Sequence, residues 1–273
     1  MKSTSRWLFL GLAVISVTTA TSAPESSAKK RVLLLSQGPD GHPAATHEYH
    51  AGLRVLKVCL DRVPGVEATL VKADEPWSEG PALLDKADGA VLFLSEGAKW
   101  VSNDAARLAA FERLAKRGGG LSCLHWGMGT RDAKNIDAFV SLFGGCHGGP
   151  DRKYKVLGAE IQPAEIKHPV LIGVTSMKLE EEFYYALKFA KPQATITPLI
   201  QVNIDGESHT VSWAFDRPDK GRSFGFSGLH FHKNWEQPAY RRLVTQGVLW
   251  TLQLPIPPGG VNVEVTEDDL RLN

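Results

Sequence analysis

From Arg31 onward the chain repeats one pattern, an uninterrupted apolar run followed by a stretch with helical spacing. RVLLLSQ, headed by charge and otherwise apolar, predicts a strand covered on both faces. In THEYHAGLRVLKVCLDRV, Tyr49, Leu53, Leu56 and Leu60 recur at helical spacing, predicting a helix that begins at Thr46 or its neighbour. VEATLVKA and a shorter segment around PALLDKAD form a second unit. GAVLFLS and SNDAARLAAFERLAKRG form a third, with Ser102 placed to cap the helix and Gly118 to end it. GLSCLH supplies a fourth strand. Apolar strands alternating with helices predict an α/β fold, a parallel sheet with helices on both faces joined by right-handed crossovers.

Beyond residue 150 the pattern changes. KYKVLGAEIQ, ATITPLIQVNID, HTVSWAFD and GRSFGFSG are strand-like and separated by turns such as Ile204-Asp205-Gly206-Glu207. They predict an antiparallel excursion in the C-terminal half, closed by a helix over PAYRRLVTQGVLWTLQ. No linker marks a second domain and no repeat is evident.

The first residues differ from this body. Lys2 and Arg6 precede WLFLGLAVISV, and the small residues TTATSA follow, which is the three-part layout of a secretory signal. Its apolar run is short for a bilayer core of about 30 Å, and an uncleaved anchor is the alternative reading. Residues 1–28 are therefore expected to be a signal peptide, cleaved after Ala20, Ala23 or Ala28, and the product secreted or periplasmic with no membrane span. The body then runs from residue 31 to 254, with 255–273 as a C-terminal tail.

Composition narrows the partners. Of 273 residues 43% are hydrophobic and 22% charged, enough apolar material for a sizeable core. Lys and Arg number 31 against 30 Asp and Glu, a net charge of +1 without a basic stripe, which argues against nucleic acid. Three cysteines, Cys59, Cys123 and Cys146, cannot all pair within one chain, so disulfides do not frame the fold. A homo-oligomer stays open.

Candidate chemistry gathers where strands end. In GGGLSCLHWGMG, His125 stands at a glycine-bracketed turn out of the fourth strand, the position of a nucleophile elbow. Histidine there points to acid–base work or metal ligation rather than acyl transfer. Cys123, two residues earlier in an apolar run, reads as packing. GPDGHPAATHEYH brings His42, His47 and Glu48 toward the same carboxyl edge. His47 and His50 stand three apart, not the four that a zincin helix needs, and His50 reads equally well as a polar first helical turn. FGGCHGGPDRKY presents His147 among four glycines, which let the backbone approach a ligand, with a flexible surface turn as the alternative reading. GRSFGFSGLHFHKNW sets His230 and His232 two apart, so that both could face one ligand in extended chain. In EEEFYYALKF, Glu180 and Glu181 read as solvated and Glu182 as the inward-facing carboxylate.

Together these elements resemble the ThuA-like (trehalose-utilisation) family. The resemblance rests on GPDGHPAATHEYHAGL, GGGLSCLHWGMG, FVSLFGGCHGGPD, IKHPVLIGV, EEFYYALKF and GRSFGFSGLHFHKNW, and it spans about Arg31 to Leu254. It implies a flavodoxin-like fold similar to class I glutamine amidotransferases, a three-layer sandwich, and a link to sugars including 3-keto sugars. The amidotransferase elbow cysteine and its His-x-Glu partner have no counterpart here, so that activity is not expected.

The resulting expectation is an enzyme acting on a sugar or keto-sugar, of isomerase or hydrolase type. His125, His230 and Glu182 would be catalytic. His47, Glu48, Trp126, His147, Tyr184 and Trp235 would contact the sugar, the aromatic ones by stacking. His125, His147 and His230 are the candidates to hold a divalent metal, which would make the chain a metal-dependent hydrolase. The remaining alternative is a non-catalytic carbohydrate-binding or scaffolding domain.

Overall fold

The computed structural model describes Met1, residues 28–192 and residues 195–272. Of the expected signal segment, residues 1–28, residues 2–27 lie outside the described residues. No helix among the described residues is long and apolar enough to cross a membrane.

The four apolar runs are strands β1 (Lys30–Ser36), β2 (Val66–Lys72), β3 (Gly89–Leu92) and β4 (Gly120–Leu124). β3 and β4 are buried along their whole length, because helices cover both faces. Two short strands, β5 (Gly129–Thr130) and β6 (Gly145–Gly148), follow the elbow. The C-terminal half supplies β7 (Lys153–Pro163), β8 (Met177–Tyr185), the short β9 (Lys188–Phe189), β10 (Ile196–Ile204), β11 (Glu207–Asp216) and β12 (Arg222–Phe226).

The main sheet runs β2-β1-β3-β4-β12-β11-β10-β7-β8. From β2 to β12 all pairings are parallel, and from β12 outward all are antiparallel. β12 thus joins the parallel half although it follows the excursion in sequence. β5, β6 and β9 form a separate three-stranded sheet.

Helices α1 (Tyr49–Asp61) and α6 (Pro238–Thr251) pack on one another. A second group consists of α2 (Gly80–Lys86), α3 (Gly97–Ser102), α4 (Ala105–Lys116) and α5 (Ile136–Phe143). This is the three-layer α/β sandwich expected.

Local details differ from the sequence reading. α1 starts at Tyr49, because His47 takes φ 52° and cannot continue a helix. Ser102 ends α3, its hydroxyl donating to Ala98 O, and Asp104 caps α4 by accepting from Arg107 N at 2.9 Å. Gly118 ends α4 as expected, at φ 77°. The C-terminal tail is strapped down: Val261 and Val263 are buried, and Arg241 Nε donates to Val263 O at 2.7 Å.

Candidate functional site

β4 ends at Leu124, and His125 turns out of it with φ 45°, opening a 3-10 turn over His125–Met128. The turn is tight because it lies on neighbouring backbone: a Cβ at Gly127 would sit 2.4 Å from Leu92 O. His125 is fully buried, and its Nδ1–H donates to Ser227 O at 2.7 Å. That bond fixes the tautomer, leaving the Nε2 lone pair of the neutral ring aimed into the site.

His47 arrives on the loop after β1. It too is left-handed, and its backbone N–H donates to His230 O at 3.0 Å, zipping the two loops together. Its Nδ1–H donates to Asp40 Oδ2 at 2.9 Å. Tyr49 already donates its hydroxyl to that oxygen at 2.6 Å, so the carboxylate can only accept. His47 Nε2 is therefore also unprotonated, 3.1 Å from His125 Nε2.

His230 follows β12 after Leu229, which has φ 88°. Both Leu229 N and His230 N donate to Glu181, whose carboxylate also accepts from Asn234 Nδ2, Tyr240 OH and Glu182 N. His230 Nδ1 lies 3.3 Å from His125 Nε2. Left-handed non-glycine residues cost about 1–3 kcal/mol each and gather at working sites, and here His47, His125 and Leu229 are three of them.

β8 sends alternate side chains to opposite faces. Glu181 lies on one, while Glu182 and Tyr184 share the other. Glu182 Oε1 stands 3.8 Å from His125 Nε2 and 3.6 Å from His230 Nδ1, and Tyr184 OH donates to His125 Nε2 at 3.0 Å. Tyr184 is sandwiched between His125, with ring centroids 4.4 Å apart, and His147 at 3.9 Å. His147 is buried and its Nδ1 has no partner among the described residues.

Electrostatics follow from burial. Desolvation holds His125 well below its usual value, reinforced by His47, and lowers His47 against the opposing effect of its hydrogen bond to Asp40. Burial, then His47 and His42, bring His230 down to about 4. Burial, then Arg152 and Lys188, bring His147 to about 3. Glu182 is pushed up to about 7 by burial and by the Glu181 charge. For Asp40 burial would raise the carboxyl, but hydrogen bonds from His47, Tyr49 and His42 outweigh it and hold it below the ordinary range. The site thus presents neutral imidazoles around a carboxylate short of positive charge.

His47, His125, His230 and Glu182 come together, their ligating atoms all within 4.8 Å of one another. His47, expected among the sugar contacts, stands in this inner group, whereas His147, a metal candidate, is separated from it by the Tyr184 ring. His232 does not face the same ligand as His230, because a 3-10 turn begins there and its Nε2–H donates to Leu270 O at 2.8 Å. Glu181 is not solvated but fully buried. Glu48 turns back to accept from Ala45 N, and His50 meets Ser36 Oγ. Trp126 walls the aromatic stack, 5.7 Å from His147 and 5.9 Å from Tyr184. Trp235 is fully buried in the core against Tyr240 and Gly52, so its ring packs on protein where sugar stacking was expected. Asp40 and Tyr49, which orient His47, were missed by sequence reasoning. The Asp in GPDGH looks like turn chemistry, and Tyr49 like one more apolar position of the helix. All three cysteines are buried and unpaired, and burial raises the Cys123 thiol far above its usual range.

A ThuA-like protein from Bacteroides uniformis superposes with a TM-score of 0.64 at 14% identity, covering 84% of this chain and 94% of that one. A cytoplasmic protein from Salmonella typhimurium gives 0.53 at 16% identity, covering 81% and 98%. The glutaminase domain of Trypanosoma brucei CTP synthase gives 0.49 at 11% identity, covering 87% and 100%. The comparison with curated proteins returned no match. At 14% and 16% identity the likenesses to the first two concern the fold alone. The ThuA family model, described as trehalose utilisation, matches residues 31–251 and so takes in every residue of the cluster; the chain belongs to the ThuA family.

Proposed function

We propose that this protein is an exported enzyme of carbohydrate metabolism that acts on a sugar or keto-sugar at the His47–His125–His230–Glu182 cluster. The observation that carries the reading is the His125 Nε2 atom: buried, with its tautomer fixed by Ser227, and faced by His47, His230, Tyr184 and Glu182. Such a group of proton donors and acceptors suits chemistry at adjacent hydroxyl and carbonyl carbons, where a proton leaves one atom and reaches its neighbour. The family's description as trehalose utilisation supports a sugar as the substrate class. The three strained positions support a working site over a passive binding face.

Acyl transfer of the amidotransferase kind is disfavoured. The elbow carries an imidazole, and the adjacent Cys123 is buried with its thiol held protonated. The basic, apolar and small-residue order of the first residues supports export.

The test is turnover and binding of trehalose, glucose and their 3-keto forms, followed by carbohydrate NMR, for the wild type and for His125→Ala and Glu182→Gln. Wild-type conversion of one of these, reduced about 100- to 10,000-fold in either variant, is the expected result. Failure to bind or convert any of them, with and without added divalent cations, overturns the sugar reading.

A further inference from the structure

We infer that His47 Nε2, His125 Nε2, His230 Nδ1 and a carboxylate oxygen of Glu182 form a binding site for one first-row divalent cation. This deepens the proposed function and rests on its reading of the cluster as the working site. It needs no particular sugar.

The first support is the direction of the lone pairs. His125 Nδ1–H is committed to Ser227 O and His47 Nδ1–H to the Asp40 carboxylate, so two unprotonated Nε2 atoms face one another at 3.1 Å. Two lone pairs at that distance repel unless a proton or a metal ion lies between them. Orienting the far nitrogen of a ligating imidazole through a carboxylate or a backbone carbonyl is how metal sites set ring direction, and both devices are present here.

The second support is distance. A tetrahedral ion with bonds of about 2.0–2.1 Å separates neighbouring ligand atoms by about 3.4 Å. The separations are 3.1 Å for His47–His125, 3.3 Å for His125–His230, 3.6 Å for His230–Glu182 and 3.8 Å for His125–Glu182. The other two pairs stay within 4.8 Å. Rotation of Glu182, the least buried of the four, would tighten its contacts without moving the backbone.

The third support is charge. Glu181, fully buried, and Glu182, half-buried, are successive carboxyls on β8, and a cation at the cluster would offset their charge. Three nitrogens and one oxygen favour zinc, manganese, iron(II), cobalt or nickel over calcium or magnesium, which prefer all-oxygen sets. His147 stays outside this set, behind Tyr184. A cation here with one open position would take a hydroxyl or keto oxygen and polarise it.

The experiment is to strip the full chain with chelator and titrate it separately with Zn2+, Mn2+ and Co2+ by calorimetry. Elemental mass spectrometry then counts the ions, and circular dichroism checks the fold. One equivalent of at least one ion is expected, together with a higher melting temperature for the loaded protein. His230→Ala and Glu182→Gln should each weaken binding at least about 100-fold, and Asp40→Asn about 10- to 100-fold. His147→Ala should still bind one equivalent. If His230→Ala misfolds, the Glu182→Gln and Asp40→Asn variants carry the test. A folded wild-type chain that takes up none of the three ions overturns the inference, and so does equal uptake by folded Glu182→Gln and Asp40→Asn. Ion uptake without sugar conversion would leave the cation site standing while removing the sugar reading. Sugar conversion by a chain that takes up none of the three ions would do the reverse.

Discussion

In the parallel half, His125 reaches the site because β4 ends in a left-handed residue. In the antiparallel half, Glu182 and Tyr184 reach it from the regular pleat of β8. The first arrangement is held by close backbone approach, with Gly127 lying on Leu92 and Gly97 on Gly127. The second is held by hydrogen bonding, five donors converging on the buried Glu181. One half should therefore be sensitive to an added methyl group and the other to a lost acceptor.

Removing the acceptor should have the largest effect. Glu181→Ala leaves buried donors unsatisfied and releases the loop that carries His230, and a loss of about 3–5 kcal/mol is expected from urea denaturation. A loss below about 1 kcal/mol would mean that water replaces the carboxylate and that the contrast between the halves fails. Gly127→Ala should come next, at about 2–3 kcal/mol by the same measurement, since its Cβ meets backbone that cannot rotate away. An unchanged midpoint would show that the elbow is softer than its packing suggests.

His147 sharpens the comparison through pH. Its folded value of about 3 lies below the usual 6.5, so between those values the unfolded chain binds a proton that the native one refuses. Its contribution to stability is complete above about pH 6.5 and is lost as pH falls toward 3. His147→Gln should flatten the stability–pH curve in that window by up to about 1.4 kcal/mol per pH unit, read from melting at a series of pH values. An unchanged slope would refute the buried neutral imidazole. The smallest effect belongs to the open face of β7: breaking the exposed Lys155–Asp205 pair by Lys155→Ala should leave the urea midpoint unchanged, because solvent screens the pair.

Legibility in the sequence follows the same division. His125 could be found because an uninterrupted apolar run stops against glycines, a signal contained within twelve residues. Glu181 was misread because three successive glutamates look like solvated charge. The alternation Met177, Leu179, Glu181, Phe183, all on one buried face, was present and outweighed by composition. His232 was paired with His230 on the assumption of extended chain, which the turn after Leu229 removes.

By itself the sequence determined the succession of strands and helices, the change from parallel to antiparallel half and the elbow histidine. Each of these depends on apolar periodicity and turn residues that act over a few neighbours. Only the tertiary structure decided that β12 returns beside β4, that His47 and His230 meet His125 across 78 and 105 residues, and that His147 stops one ring short. Those contacts depend on which loops the packed sheet brings to one edge, and on which ring nitrogen a distant carbonyl or carboxylate engages. No local pattern carries either.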